Sequence, residues 1–465
     1  MGISAAFEIG KSGLKLFQVA AEVTSENIAN VNTPGYSRQR VVFQTAPPTT
    51  HNGFPLGTGV RVQVVERYYD SLLQKQLVNA GTTSGYDSHK LGVLQQIEPV
   101  FNEIAQDGLG AAMNDFYSSW QDLSINPSGT AERQSVLAKA QIMVDQFHYV
   151  SRSISDAITI QNESLTPLVG DINKTLSDIA QLNGYIKNTE LVSGNANEMR
   201  DQRDYLIRQL AEKMQVSFVE NDDGTTDISY TDGSGTYALV TGTQAGSLSL
   251  AANAVALPDG STRYDVQLTD ASGTGPTTLA PTTGKLGATI VMRDTVLQGY
   301  LDDVDALADR VVTDLNALHS SVTSFDLNGD PGADFFDPAG VTAATISLDA
   351  NVLGQPEHIA AAQAAFAGDN QNALAIARLN SVNGYSLTYD ALMAQVGLDV
   401  QSAQTVVKQG EAFMKQLTTL RDSQSGVSLD EELANLIQYQ RSYQASAKLI
   451  TTATEMMDVV LAMVR

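Results

Sequence analysis

The sequence predicts a mainly α-helical, elongated chain of several domains, with a single antiparallel β domain inserted into the helical framework. Three observations predict this. Apolar residues recur at alternating steps of four and three near both chain ends, and a long helical run follows the first of them. Between about 215 and 287 the pattern switches to short apolar runs punctuated by Asp-Gly, Gly-Ser and Pro-Asp-Gly turns. A length of 465 residues with 43% hydrophobic content supplies apolar surface for roughly three units.

The first helix carries Ile3, Phe7, Gly10, Leu14, Phe17, Ala21, Thr24, Ile28 and Val31 on one seam, and Asn32-Thr33-Pro34-Gly35 stops it. Residues 39–43 and 59–65 read as strands separated by a Pro- and Gly-rich loop. A helical region then runs from about 69 to 189, with breaks expected near Glu98-Pro99, Asn126-Pro127-Ser128-Gly129 and Pro167. After the β run, Leu297, Leu301, Val304, Ala308, Val311, Leu315, Leu318 and Val322 give a further helical face. A loop-rich interlude follows, and helices resume around Tyr389.

The last helix opens on a capping box, Ser428-Leu429-Asp430-Glu431. From Leu429 through Leu433, Leu436, Gln440, Tyr443, Ala447, Ile450, Thr454, Met457, Leu461 and Val464 the four-three spacing persists. A seam at each terminus must be covered, either by the other terminus or by another subunit. The expected division is 1–68 with 425–465 as a terminal polymerisation region, 69–214 with 288–424 as a helical rod, and 215–287 as an outer β domain.

The chemistry is sparse. A net charge of -24 disfavours nucleic acid and anionic lipid as partners. No cysteine is present, which removes disulfides, thiolate metal sites and a cysteine nucleophile. The first residues lack the uninterrupted apolar core of a cleavable secretory signal, and no stretch suits a membrane span, so export is expected by another route. His51, His89, His148, His319 and His358 are too scattered for a metal site. Asp326, Asn328 and Asp330 resemble the start of a calcium loop, but Pro331 and Asp337 stand where glycine and glutamate are needed, so a turn is expected. Arg200, Asp201, Arg203, Asp204 and Arg208 read as surface ion pairs on a charged helix. Neither a catalytic constellation nor a cofactor fingerprint emerges.

The run Asn27-Ile28-Ala29-Asn30-Val31-Asn32-Thr33-Pro34-Gly35-Tyr36-Ser37-Arg38-Gln39 resembles the N-terminal signature of the flagellar rod, hook and hook-associated axial family. The stretch from Leu433 to Ala447 resembles that family's C-terminal counterpart. Asp201-Gln202-Arg203-Asp204, Gly284-Lys285-Leu286-Gly287 with Arg293-Asp294, and residues 325–336 narrow the resemblance to the hook-associated branch that joins hook to filament. The resemblance implies a non-enzymatic structural subunit without cofactors, secreted through the flagellar type III apparatus with an export chaperone. It also implies a ring of copies between the hook protein and a second hook-filament junction protein. The polymerisation interface implied comprises Ile3, Phe7, Leu14, Phe17, Ile28, Asn30, Pro34, Gly35 and Tyr36, with Leu433, Leu436, Tyr443, Ile450, Met457 and Leu461. A hook or distal rod protein is the nearest alternative, and the long helical run disfavours it. A secreted enzyme or glycan-binding module would have to reside in the β insert, which holds no His or Cys.

Overall fold

The computed structural model describes residues 3–51, 54–102, 108–192, 194–366 and 368–463. Helix α1 (Ile3–Ala29) leads through the Pro34-Gly35 turn into strand β1 (Gln39–Thr45). β1 pairs antiparallel with β4 (Val60–Arg67), and the short strands β2 (Thr49–His51) and β3 (Phe54–Leu56) pair between them. Asp70 starts α2 (Ser71–Phe101) by accepting the Leu72 and Leu73 amides at 2.9 and 3.0 Å. α2 ends two residues beyond Pro99, close to the expected break.

Helices α3 (Leu109–Ile125) and α4 (Thr130–Val192) flank the expected Asn126-Pro127 break. The break expected at Pro167 does not occur: α4 runs unbroken for 63 residues, about 95 Å at 1.5 Å per residue. Pro167 lies on its exposed side, so the carbonyl that loses its bond faces water, while Leu165, Leu168, Val169 and Ile172 stay buried around it. Packing on both sides outweighs the local preference.

α4 is a spine shared by two cores. Its first half packs with α3 and with α7 (Leu297–His319) around Phe116, Trp120, Phe147, Phe335 and Phe336, all fully buried. Its second half packs with α5 (Asn197–Lys213) and with two small antiparallel sheets. One sheet comprises β5 (Ser217–Glu220), β6 (Thr226–Asp232), β7 (Gly235–Thr241) and β8 (Gln244–Ala245) in sequence order. The other places β10 (Tyr264–Thr269) between β9 (Ser247–Ala252) and β11 (Thr277–Thr278). Alternate residues Ile228 and Tyr230, and Val266 and Leu268, point into the core with α4, as a half-buried strand requires.

α6 (Gly284–Val291) joins α7 through a π-helical turn at Met292–Val296. The expected face of α7 is buried from Leu297 to Leu315, but the helix stops at His319 and leaves Val322 92% exposed. Asn316 supports the stop by receiving the Phe335 and Phe336 amides and donating to the Phe336 carbonyl. After an irregular stretch come α8 (Gln371–Ala377), α9 (Leu379–Asn383), α10 (Tyr385–Ser425) and α11 (Leu429–Met463).

α1 and α11 pack antiparallel on each other, Gly10 lying beside Ile450, Phe17 stacking on Tyr439, and Asn27 reaching Glu432. The buried stripe of α1 is Gly10, Gly13, Leu16, Ala20, Thr24 and Asn27. Small residues allow the close approach: a Cβ added to Gly10 would lie 2.7 Å from Ile450 Cγ1, and one added to Gly13 would lie 2.8 Å from Ser446 Oγ.

Candidate assembly site

Two surfaces meet at the base of the terminal helix pair. One is the pair itself, and the other is the signature loop that ties it to the helical body.

The loop is organised by Asn27, whose buried carboxamide donates to the Gln39 carbonyl at 2.9 Å and to Glu432 Oε2 at 3.0 Å. Its oxygen receives the Gln39 amide and the Tyr36 hydroxyl, both at 2.9 Å. Three of the four contacts reach 9 or 12 residues ahead into the loop and β1, and the fourth spans 405 residues to Glu432, so one side chain fixes α1, the loop and α11 together. Thr33 donates to Asn30 Oδ1, closing the turn before Pro34. Gly35 adopts φ +88° with Tyr205 packed where a Cβ would project, so both backbone and space require glycine. Arg421, near the end of α10, donates to the Gly35 and Tyr36 carbonyls at 2.9 and 3.0 Å. Glu431, expected to close a capping box, is engaged by Arg38, which also pairs with Glu432 at 2.7 Å.

The charged helix corrects the sequence expectation, because Asp201, Arg203 and Asp204 are not surface ion pairs but buried. Asp201 accepts the Ser37 amide and Arg67 NH1, each at 2.7 Å, and Asp204 lies 2.7 Å from the same Arg67 nitrogen. Burial alone would lower the Arg67 pKa, yet Asp204 and Asp201 outweigh it and hold it above its ordinary value. Burial lifts the Asp201 carboxyl, while Arg67 and the Ser37 amide oppose that rise. Arg203 donates to Asn183 Oδ1 at 3.0 Å and to the Gly224 carbonyl, binding α4 and the β5–β6 turn. Asn197 donates to Gln39 Oε1 and the Val65 carbonyl. α5 is therefore a connector between the signature loop, the β1–β4 hairpin and the sheet region. A charge-rich helix pattern gives no sign of this, since Ser37, Gln39 and Arg67 lie 164, 158 and 134 residues from their partners on α5, and Asn183 and Gly224 come from other elements.

The structure separates the expected interface residues into two groups. Leu14, Phe17, Ile28, Leu436 and Ile450 are half-buried between or beside the two helices, as are Asn30, Gly35 and Tyr36 in the loop. Phe7, Pro34, Leu433, Tyr443, Met457 and Leu461 are exposed, Leu461 by 60%. The Ile3 side chain and Val464 lie outside the described residues. The stripe buried within the pair is displaced around α1 from the seam of large residues, so much of that seam faces outward. Ile437, Leu449, Met456, Val459 and Val460 extend the exposed apolar surface along α11. Sequence reasoning missed Arg67, Asn197, Arg421 and Glu432, which carry the polar half of the site.

Elsewhere the candidate chemistry is committed to structure. Asp326 Oδ1 receives the Asn328 and Asp330 amides at 2.8 and 2.9 Å, the geometry of a turn. His319 Nδ1 donates to the Ala333 carbonyl and its Nε2 accepts the Ala360 amide, while burial lowers its pKa to about 4 and keeps it neutral. Nε2 of His89 and of His148, and Nδ1 of His358, likewise contact protein oxygens. The His51 side chain lies outside the described residues. Among the described residues no group of three or more His, Asp or Glu could hold a metal, and no helix is long and apolar enough to cross a membrane.

A long helical body, a side-mounted sheet region and paired chain ends with uncovered apolar surface define a structural subunit of an axial assembly. The chain belongs to the family of flagellar hook-associated protein FlgK, whose helical-domain model matches residues 94–336. The flagella basal body rod protein model matches residues 7–36, and the C-terminal model of the basal body rod FlgEFG proteins matches 421–463, so the axial signatures fall on the two terminal segments. Flagellar hook-associated protein 1 of Bacillus subtilis (strain 168) is 28% identical, over 98% of this chain and 97% of that one. Its namesake from Escherichia coli (strain K12) is 26% identical over 97% and 98%. The solved flagellar hook junction protein FlgK from Burkholderia pseudomallei shares the fold, with a TM-score of 0.65 at 15% identity, covering 75% of this chain and 99% of that one. The chain is thus a flagellar hook-associated structural protein.

Proposed function

We propose that this chain joins hook to filament as a ring of copies, polymerising through the surface that the α1–α11 pair leaves uncovered. The observation that carries this reading is the exposed apolar run on α11, including Leu433, Ile437, Leu449, Met456 and Leu461, on a helix whose buried residues are Glu432 and Ala453. Such a surface on a folded chain marks an interaction site. Burying it in the ring stabilises assembly by roughly 25 cal/mol per Å². The ring sits between the hook protein and a second hook-filament junction protein, outside the cell. The subunit reaches it unfolded through the flagellar type III apparatus with an export chaperone, and acts mechanically, as neither enzyme nor cofactor carrier. In this reading residues 1–68 with 425–465 polymerise, 69–214 with 288–424 form the rod, and 215–287 lie outermost.

The test replaces Leu433 and Leu461, both exposed on α11, with aspartate in a strain lacking the parental gene. Burying these charges without partners costs several kcal/mol in the assembly. The variant should be exported, melt in its helical body nearly as the parent does, and fail to support filaments, so that flagellin escapes into the medium. The same replacements at Gln440 and Thr454, already polar, should do less. Normal filaments from the Leu433 and Leu461 variant would refute the reading.

A further inference from the structure

Helix α10 carries three stripes along its length. One is buried: Tyr385, Tyr389, Leu392, Val396, Val400 and Ala403 close the core that α3, α4 and α7 also line. A second holds the exposed charges Asp390, Lys408, Glu411, Lys415 and Asp422, whose spacing places them on one flank. The third is exposed as well, yet apolar. Leu387, Leu398, Val406, Phe413 and Leu420 follow one another at helical spacing, with Leu387 72% and Phe413 52% exposed. The positions between them are uncharged, among them Ala391, Ser402 and Gln409, so at 3.6 residues per turn no charged side chain of α10 falls on this face. From Leu387 to Leu420 it runs for about 50 Å.

A second such face stands at the opposite corner of the same bundle. α4 packs on α3 and α7, α10 packs on the same two helices, and the four enclose one core. α4 and α10 therefore lie diagonally across that core, and their outer faces point away from each other. On α4 the outer face shows Ile142, Tyr149 and Ile160, which are 47%, 57% and 45% exposed. These residues flank the same part of the core as Leu387, Leu398 and Val406, since α4 enters it from Val136 to Ile158 and α10 from Tyr385 to Ala403. The two sets are also alike in length, about 27 Å on α4 and about 29 Å on α10 at 1.5 Å per residue.

We propose that these two faces meet between neighbouring copies of the chain, the α10 face of one seated on the α4 face of the next. Identical subunits in a ring join head to tail, so each must present two different surfaces on opposite sides. Two apolar faces of like length, at one level of the bundle and on opposite corners, meet that requirement. The far end of the α10 face, Phe413 and Leu420, leads through the short break before Leu429 into the exposed run of α11, so the contact continues the surface assigned above to polymerisation. The inference therefore rests on that reading and adds a contact between the helical bodies. A face about 50 Å long and about 10 Å wide buries about 500 Å² on each partner, short of the about 800 Å² typical of a stable complex. The body contact accordingly forms only together with the terminal one.

The experiment places a photo-crosslinking amino acid at Leu398 in cells that build hooks and filaments, with a second probe at Leu433 in a separate strain. Mass spectrometry of irradiated, isolated junctions should show Leu398 joined to residues 142–160 of α4. Because α4 of the same copy lies across the core, that adduct joins two copies. In parallel, Leu387→Asp with Leu398→Asp should reduce filament-bearing cells by about tenfold, since the two charges would be buried without partners. The purified variant should melt near the parent's temperature, as both positions are exposed in the single chain. Leu398→Met, which keeps the face apolar, should leave filaments at the parental level. An adduct of Leu398 to α10 of another copy or only to another protein, no adduct at all, or normal filaments from the double aspartate variant would overturn the inference. If Leu433 still joins copies when Leu398 does not, only the body contact falls. Failure of both probes removes the polymerisation reading itself.

Discussion

The helical body and the terminal helix pair solve the same packing problem in opposite ways. In the body, Phe116, Trp120, Phe147, Phe335 and Phe336 are fully enclosed by α3, α4, α7 and the segment after α7. In the terminal pair the enclosed residues of α1 are Gly10, Gly13, Leu16, Ala20, Thr24 and Asn27, while Phe7 and most large apolar residues of α11 face outward. Large residues inside make a core that is complete within one chain. Small residues inside and large ones outside bring two helices close and leave the greater part of the hydrophobic gain for a later contact. In the polymerisation proposed above, this division lets the body fold within one chain and the ends complete their burial on assembly.

The comparison breaks most sharply in the body. Trp120→Ala should cost about 3–5 kcal/mol of stability, read as a lowered denaturant midpoint, because the cavity lies among rings that cannot collapse into it. A loss of the size expected at a surface position would show that this core is not the main stabilising unit. A smaller effect is expected where the two regions join. Asn27→Ala leaves the Gln39 amide and carbonyl without their partner and should cost about 1–3 kcal/mol. That loss should appear as faster amide exchange in α1 and α11, with exchange in α4 unchanged. Equal acceleration throughout would mean that the terminal pair and body unfold as one.

The smallest effect concerns pH. Glu26 on α1 shares a hydrogen bond with Glu198 on α5 and is partly buried, and its pKa is pushed up to about 7. Because the folded-state value exceeds the unfolded one, the folded chain holds the extra proton between about pH 4.5 and 7. Stability from this pair is therefore present at low pH and lost as pH rises through 7. Glu26 is only partly buried, so solvent screening limits the change to about a few tenths of a kcal/mol. Exchange in α1 should be slower at pH 6 than at pH 8 after correction for intrinsic rates, and Glu198→Gln should flatten the difference. No such flattening would place the α1 response elsewhere.

The sequence by itself determined the two terminal helices with their apolar seams, the strands β1 and β4 after the first of them, the sheet region set between helical segments, and the turn at Pro34-Gly35. These depend on local periodicity and on backbone limits that each residue carries with it. The signature and its C-terminal counterpart were legible for the same reason, as continuous runs. Only the tertiary structure decided three other matters. Pro167 stays within α4 because buried Leu165, Leu168, Val169 and Ile172 hold the helix in its core on both sides of it, which no local rule counts. The seam was read as large residues at four-three spacing, but the pair closes on the glycine side, because helix approach is set by what the facing helix presents. Asp201, Arg203 and Asp204 look like a solvated face until Arg67, Ser37 and Asn183 arrive from other elements. Burial and charge pairing are properties of neighbours in space, and a sequence names only the neighbours along the chain.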